Sequence, residues 1–232
     1  MEGNARQGGT GRVRRLVRGV WMTVAIGALA LTAFRSPLMA QGLEEYDYTN
    51  LGLRGATGEA FLVFPSGVKE TIGFGARVDW GFLGPHVRMQ SLFAYWASDM
   101  KQSEIDKFNR RMEELVESQN PGTEVTIDLG TIRRSAVIFG GDLHWMPRVT
   151  DIVRPYLGVG AELYILNGSG DGISGTFIED GMDLFTAGLS GVAGLEFGLT
   201  DTLVFYSDIR GSLVADVQSI AFTVGFGYIK QP

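Results

Sequence analysis

Thr202-Leu203-Val204-Phe205-Tyr206-Ser207-Asp208-Ile209-Arg210-Gly211-Ser212-Leu213 alternates between two kinds of side chain. Leu203, Phe205, Ile209 and Leu213 share one parity, and Tyr206, Asp208, Arg210 and Ser212 share the other. Successive side chains of a strand point to opposite faces, so the stretch reads as a two-faced strand. In the next segment Phe222, Val224, Phe226 and Tyr228 alternate with Thr223, Gly225 and Gly227. A water-soluble barrel needs an apolar interior and an outer face rich in Lys and Glu. Here bulk lies on one face, and glycine with a few charges on the other. That arrangement suits a transmembrane β-barrel, whose outer wall meets lipid while small residues and paired charges fill a narrow lumen.

Working back along the chain, the same parity rule phases six more strands. Leu184 to Leu199 sets Ala187, Leu189, Leu195 and Phe197 outward against Gly188, Ser190, Gly194 and Glu196. Pro155 to Leu166 sets Leu157, Val159, Leu163 and Ile165 against Tyr156, Gly158, Gly160, Glu162 and Tyr164. Ile132 to Trp145 sets Val137, Phe139, Leu143 and Trp145 against Ala136, Gly140, Asp142 and His144. His86 to Trp96 places Val87, Met89, Phe93 and Tyr95 outward and Arg88, Gln90 and Ala94 inward. Ile72 to Phe82 places Ile72, Phe74, Val78, Trp80 and Phe82 outward and Gly73, Gly75, Arg77, Asp79 and Gly81 inward. A first strand is expected within Tyr46 to Phe64, with Leu51 and Leu53 outward and Arg54 inward, but its phase is lost around Gly55 to Gly58. Trp80, Trp96 and Trp145 fall near strand ends, where interfacial aromatic girdles are expected.

The expectation is an all-β chain forming a single closed antiparallel up-and-down transmembrane β-barrel of about eight strands, most of them near the roughly 9 to 11 residues that a tilted strand needs to cross a bilayer. Leu83 to Pro85, Met146 to Arg154 and Thr200-Asp201 are short connections, whereas Ala97 to Gly130 and Asn167 to Asp183 are long. Outer-membrane barrels carry short periplasmic turns and longer outer loops, so both chain termini are expected on the periplasmic side.

Residues 1–40 read as a cleaved signal peptide. Arg12, Arg14, Arg15 and Arg18 precede the apolar run Val20 to Phe34, and Leu38-Met39-Ala40 offers a small residue for cleavage. A retained anchor is the alternative, but Arg35 closes the run short of a membrane span. Residues 41–232 form the barrel domain on this reading. Removing residues 1–40 takes six Arg and one Glu from the chain's 20 basic and 26 acidic residues, leaving 14 and 25 and a formal charge of −11. That balance argues against nucleic acid as a partner. Zero cysteines exclude a thiol metal site, a disulfide framework and a lipidated cysteine anchor.

One helix is expected inside the first long loop, over residues 103–118. Ile105, Phe108, Met112, Leu115 and Val116 form its apolar stripe, and Ser103 with Asp106 resembles a capping box. Asn120-Pro121-Gly122 would stop it. The stripe either docks a surface partner or packs on its own loop or the barrel rim.

Glu162, Glu196, Asp208 and Arg210 have inward parity on successive strands, as do Arg77, Asp79, Arg88 and Asp142 on earlier ones. Buried charges are costly unless paired, so these eight are expected to form a structural salt-bridge network in the lumen. The alternative is a gated ion path. The two histidines, His86 and His144, are followed by Val87-Arg88 and Trp145-Met146, not by a nearby Ser, and both take inward parity. No catalytic residue is assigned. No cofactor or metal is expected either: Gly168-Ser169-Gly170-Asp171-Gly172 lacks the Gly-Lys-Ser/Thr of a phosphate loop, and Asp171, Glu179, Asp180 and Asp183 match no ordered calcium loop, so a solvated outer loop is expected there.

Pro155-Tyr156-Leu157-Gly158-Val159-Gly160-Ala161-Glu162, then Gly194-Leu195-Glu196-Phe197-Gly198-Leu199-Thr200-Asp201 leading into Asp208-Ile209-Arg210, and the aromatic alternation Phe222 to Tyr228 resemble the small OmpA- and OmpX-type outer-membrane β-barrel family over roughly residues 47–230. The resemblance implies a monomer in outer-membrane lipid of a Gram-negative-type bacterium, with a filled or narrow lumen, inserted by the barrel assembly machinery through a C-terminal aromatic strand. Lys230-Gln231-Pro232 after Tyr228-Ile229 departs from that pattern, which shifts the expected recognition to Phe226 and Tyr228. The expected role is structural or surface-interacting, with a narrow porin-like channel as the alternative and a lipid-modifying enzyme as a third reading.

Overall fold

Alternating bulk and glycine along each strand becomes, in the computed structural model, a wall with one greasy and one polar side. The structure describes residues 50–120, 122, 126–147, 149–150, 152–215 and 217–230. The export signal expected over residues 1–40 lies outside them, as do the first residues of the expected first strand, Pro121, and Gln231-Pro232.

The described residues contain eight strands: β1 (Leu51–Pro65), β2 (Thr71–Phe82), β3 (Val87–Asp99), β4 (Arg133–Trp145), β5 (Val153–Ser169), β6 (Leu184–Gly198), β7 (Leu203–Val214) and β8 (Ser219–Ile229). Each is antiparallel to its chain neighbour, and β8 returns to β1 from Gly55↔Ile229 to Pro65↔Ser219, closing the barrel. Closure matters because hydrocarbon offers no partner for a free backbone N–H or C=O, so a sheet spans a membrane only without edges. The ends of the barrel chain, Leu51 and Ile229, lie with the short β2–β3, β4–β5 and β6–β7 connections, and the long connections lie at the other end.

The outer wall carries Phe74, Val159, Leu189 and Leu213, each about two-thirds exposed. A band of such residues around the whole cylinder exceeds what a monomeric soluble protein leaves bare, and it matches a lipid-facing surface.

Phase breaks in β1, where the sequence reading loses it, and departs from that reading at two further residues, Phe82 and Trp96. In β1 the pairing slips between Leu51 and Gly55. Leu53, before the slip, is 72% exposed, whereas beyond it Thr57, Glu59, Phe61 and Val63 are buried. In β2 the register shifts between Asp79 and Gly81, where Gly81 takes φ +89°, and Phe82 joins the interior cluster of Met146, Tyr156 and Val192 instead of facing outward. Such a bulge places one extra residue on β2 and turns the residues beyond it to the opposite face. Trp96 is the third case. It shares inward parity with Arg88, Gln90 and Ala94 and is 1% exposed, so it belongs to the lumen and not to an interfacial girdle. Trp80 and Trp145 do face outward.

The first helix, α1 (Gln102–Gln119), begins one residue before the expected start. Its N-cap is Lys101, which makes no side-chain cap bond, so the expected Ser103/Asp106 capping box does not form. Lys101 N instead donates to Gly67 O, and Asp106 Oδ1 accepts from Gln102 Nε2 at 2.9 Å. A six-residue α2 (Phe177–Met182) follows β5, capped by Thr176. Ile105, Leu129, Ile132, Ile173 and Ile178 cluster, with Phe108 and Met112 packed beside them. The second long loop is therefore partly buried under α1 and not wholly solvated, since apolar isoleucines recur on both loops. Met100 borders both this cluster and the core inside the barrel, which ties the cap to the barrel mouth.

Candidate functional site

The eight charged residues assigned to the lumen are all buried, at 1–6% exposure. With Glu59 they form three units of one kind, an arginine held between two carboxylates.

In the first unit Arg77 Nε lies 2.7 Å from Glu59 Oε2 and its Nη1 lies 2.6 Å from Asp208 Oδ2. The guanidinium also sits over the Tyr206 ring, 4.6 Å from its centroid. Tyr206 Oη donates to Glu59 Oε2 at 2.7 Å and Tyr156 Oη donates to Asp208 Oδ2 at 2.6 Å. In the second, Arg88 Nη1 is 2.7 Å from Glu196 Oε2 and its Nε is 3.4 Å from Asp79 Oδ2. Asp79 Oδ1 accepts from Gly81 N, and Arg154 Nε approaches Glu196 Oε1 at 3.6 Å. In the third, Arg210 holds Asp142 bidentately at 2.6 and 3.0 Å and reaches Glu162 Oε1 at 2.9 Å and Ser190 Oγ at 3.0 Å. Tyr164 Oη donates to Glu162 Oε2 at 2.9 Å.

Arginine suits this task because its planar fork offers five donors and can serve two carboxylates at once. Six buried carboxylates face three buried arginines among the described residues, so hydroxyls must supply donors to the remaining oxygens. Tyr164 does so at Glu162 Oε2, while Tyr206 and Tyr156 add a second donor to the Glu59 and Asp208 oxygens that Arg77 already holds. Charges taken out of water are tolerated when each is paired and its remaining lone pairs are satisfied.

Glycine makes room for these side chains. Tyr206 lies over its β8 partner Gly225, His144 over Gly158, and Tyr156 over Gly194, and a Cβ at any of the three would enter the ring it faces. The inward glycines therefore act as sockets for aromatic and ionic side chains on the neighbouring strand.

The ionic layer occupies the middle of the lumen. Along β3 the inward side chains run Arg88, Gln90, Leu92, Ala94 and Trp96 towards the long loops. The outer half of the lumen is accordingly apolar, built from Phe61, Val63, Leu92, Trp96, Ile138 and Leu166 with their neighbours. Between the apolar and ionic layers a void of about 30 Å³ remains, bounded by Glu59, Glu162, Arg210, Phe61, Leu92 and Trp96 among others. That is room for one or two waters.

Glu59 escaped the parity reading because Phe61 and Val63 on its own face are as bulky as Leu62 and Phe64 on the other. Counting parity backward from Phe64, instead of forward from Leu51, is the signal that finds it. Parity also hides the apolar outer layer, because Phe61, Val63, Leu92, Trp96, Ile138 and Leu166 put bulk on the inward face. His144 is wholly buried, stacked on Tyr156 with centroids 4.8 Å apart, and its Nε2 is 3.7 Å from Asp142 Oδ2. His86 sits in the turn before β3. In the acidic loop, Asp183 Oδ1 accepts from Asn167 and Gly168 and Glu179 Oε2 accepts from Gly175, so these carboxylates hold local structure.

A family model described as the outer membrane protein beta-barrel domain matches residues 26–229. Among curated proteins none matches the chain. Among solved structures the chain is similar to Neisserial surface protein A, at 15% identity over 75% of this chain and 96% of that one, with a TM-score of 0.47. It is similar to OprG from Pseudomonas aeruginosa at 12% identity, over 77% and 96% of the two chains, with a TM-score of 0.45. It is also similar to the attachment invasion locus protein Ail of Yersinia pestis, solved with the heparin analogue sucrose octasulfate, at 15% identity over 76% and 99%, with a TM-score of 0.44.

Proposed function

The chain belongs to the outer membrane protein beta-barrel domain family, and from that membership we propose that it is a plugged barrel with a structural or surface-interacting role, neither a solute channel nor an enzyme. Its place is the outer membrane of a Gram-negative bacterium. The observation that carries the plugged reading is the ionic layer: three arginines, each clamped between two carboxylates from other strands, with a void of about 30 Å³ above them. A passage would require these pairs to part in a site with little water to replace them, and buried pairs broken from one side are strongly destabilised. The apolar layer over them adds a second barrier, because hydrophobic constrictions exclude water and ions.

A non-catalytic role is supported by the placement of His144 inside the lumen, stacked on Tyr156 and away from the lipid-facing wall where a lipid substrate would lie. Surface interaction would use the polar face of α1, because Ile105, Phe108 and Met112 of its apolar stripe are engaged by the cap. Insertion by the barrel assembly machinery as a monomer, after removal of residues 1–40, completes the reading.

Planar-bilayer recording of the purified protein tests it. The plugged barrel gives no sustained unitary currents, and steady openings would put the porin-like channel in its place. Mass spectrometry of lipid A from cells expressing the protein tests the enzymatic alternative, which an altered acylation pattern would revive.

A further inference from the structure

Gly191 on β6 and Gly211 on β7 face outward and are cross-strand partners. A Cβ added at either would meet nothing within 4 Å, so no lumen side chain needs glycine there. Glycine inside a strand weakens it and often marks a place where a ligand or another backbone comes close. The row across the wall continues from Gly211 to Ile220 on β8 and Phe64 on β1. These two are 53% and 44% exposed, so the wall rises from a glycine floor to an apolar ridge. The hollow thus formed measures about 720 Å³, is flanked by Leu213, and has Lys101 at its loop end. Lys101 is exposed at the start of α1.

We propose that this hollow is a discrete site for a phosphorylated, acylated glycolipid of the outer leaflet. One acyl chain lies on Gly191 and Gly211 against Leu213, Ile220 and Phe64, and a headgroup phosphate faces Lys101. Position argues for the outer leaflet, because the hollow opens at the end of the barrel that carries the long loops. Chemistry argues for an amphiphile with an anionic head: the floor and ridge are apolar, and among the described lining residues the charged one is Lys101, whose ammonium is a compact partner for phosphate. A second copy of the barrel fits less well, since the Phe64–Ile220 ridge holds another wall away from the glycine floor. The site lies on the outer wall, so it stands or falls independently of whether the lumen conducts.

Native mass spectrometry of the detergent-extracted full chain, titrated with bisphosphorylated hexa-acylated lipid A and separately with phosphatidylglycerol, tests the site. The unmodified protein is expected to saturate with one lipid A at a concentration at which phosphatidylglycerol remains unbound. Gly191→Leu and Gly211→Leu fill the floor and should weaken binding at least about tenfold, a change of 1.4 kcal/mol, while retaining heat-modifiable migration on gels. If the leucine variants fail to fold, Gly191→Ala and Gly211→Ala should give a smaller weakening. Lys101→Glu should weaken lipid A several-fold, and dephosphorylated lipid A should erase the difference between it and the unmodified protein. Absence of a saturable single site, unchanged binding by folded Gly211→Leu, or equal affinity for phosphatidylglycerol would each overturn the assignment. So would a dimer that Gly211→Leu abolishes, which would give the hollow to a second copy of the chain.

Discussion

Arg77 Nη1 lies 2.6 Å from Asp208 Oδ2 although 131 residues separate them in the chain. Arg77 is on β2 and Asp208 on β7, strands that become near neighbours only where β1 and β8 pair to close the barrel. The pair therefore exists only when the barrel is closed in the correct register. A slip of one residue on either strand would carry the charge to the lipid-facing wall, so the ionic layer specifies the register as well as filling the lumen.

Arg77→Met should be the most damaging single change in that layer, because it leaves Glu59 and Asp208 buried without their shared counter-charge. Breaking a buried pair from one side costs about 3–5 kcal/mol. Urea unfolding in lipid vesicles should show a lowered midpoint, and an unchanged midpoint would contradict the pairing. Arg77→Lys should recover only part of the loss, since a point charge cannot serve both carboxylates as the planar fork does.

Arg77→Gln combined with Asp208→Asn should be less destabilised than the two single changes added together. Residues in one ion-pair network couple by about 0.5–3 kcal/mol. A double-mutant cycle from the same urea experiment reads this directly, and additivity within error would mean that Glu59 alone holds Arg77.

Gly225→Val and Gly58→Val offer a contrast between the two faces of the barrel. A Cβ at Gly225 would enter the Tyr206 ring, whereas one at the outward Gly58 meets nothing within 4 Å. Overpacking at Gly225 should cost about 1–3 kcal/mol. At Gly58 the change should stay within about 0.5 kcal/mol of the unmodified protein. Equal effects would show that the inward glycines are not sockets.

Ile105→Asp should release α1 while leaving the barrel intact. Ile105 is 1% exposed among Leu129, Ile132, Ile173 and Ile178, and an unpaired carboxylate there is poorly tolerated. Limited proteolysis within residues 102–119 should accelerate at least about tenfold, as a local loss of 1.4 kcal/mol implies. Heat-modifiable migration of the barrel should persist. Protection equal to the unmodified protein would mean the cap is not held by this cluster.

Trp96→Ala tests the two-layer description of the plug. It enlarges the void of about 30 Å³ at the outer apolar layer and should cost about 3–5 kcal/mol. The ionic layer beneath remains, so bilayer recordings of the variant should still lack unitary currents. Openings in Trp96→Ala would show that the apolar layer alone closes the lumen.

Eight of the nine residues in the arginine units were legible as inward-facing from parity, because Glu162, Glu196, Asp208 and Arg210 sit on strands whose two faces differ sharply in bulk. Glu59 was not, since β1 is apolar on both faces and a register slip near Gly55 breaks its phase. Trp96 and Phe82 misled the reading for related reasons. Aromatic bulk near a strand end resembles a girdle, and a bulge at Gly81 leaves no trace in parity counted residue by residue.

Two-sidedness of the strands, their order, and the alternation of short and long connections follow from the amino acids alone, because each depends on neighbours within one strand or one turn. Which carboxylate meets which arginine, the apolar layer above them and the partners of α1 were settled only by folding. Those contacts join strands several positions apart around the cylinder, and closure with its register shifts brings them within reach.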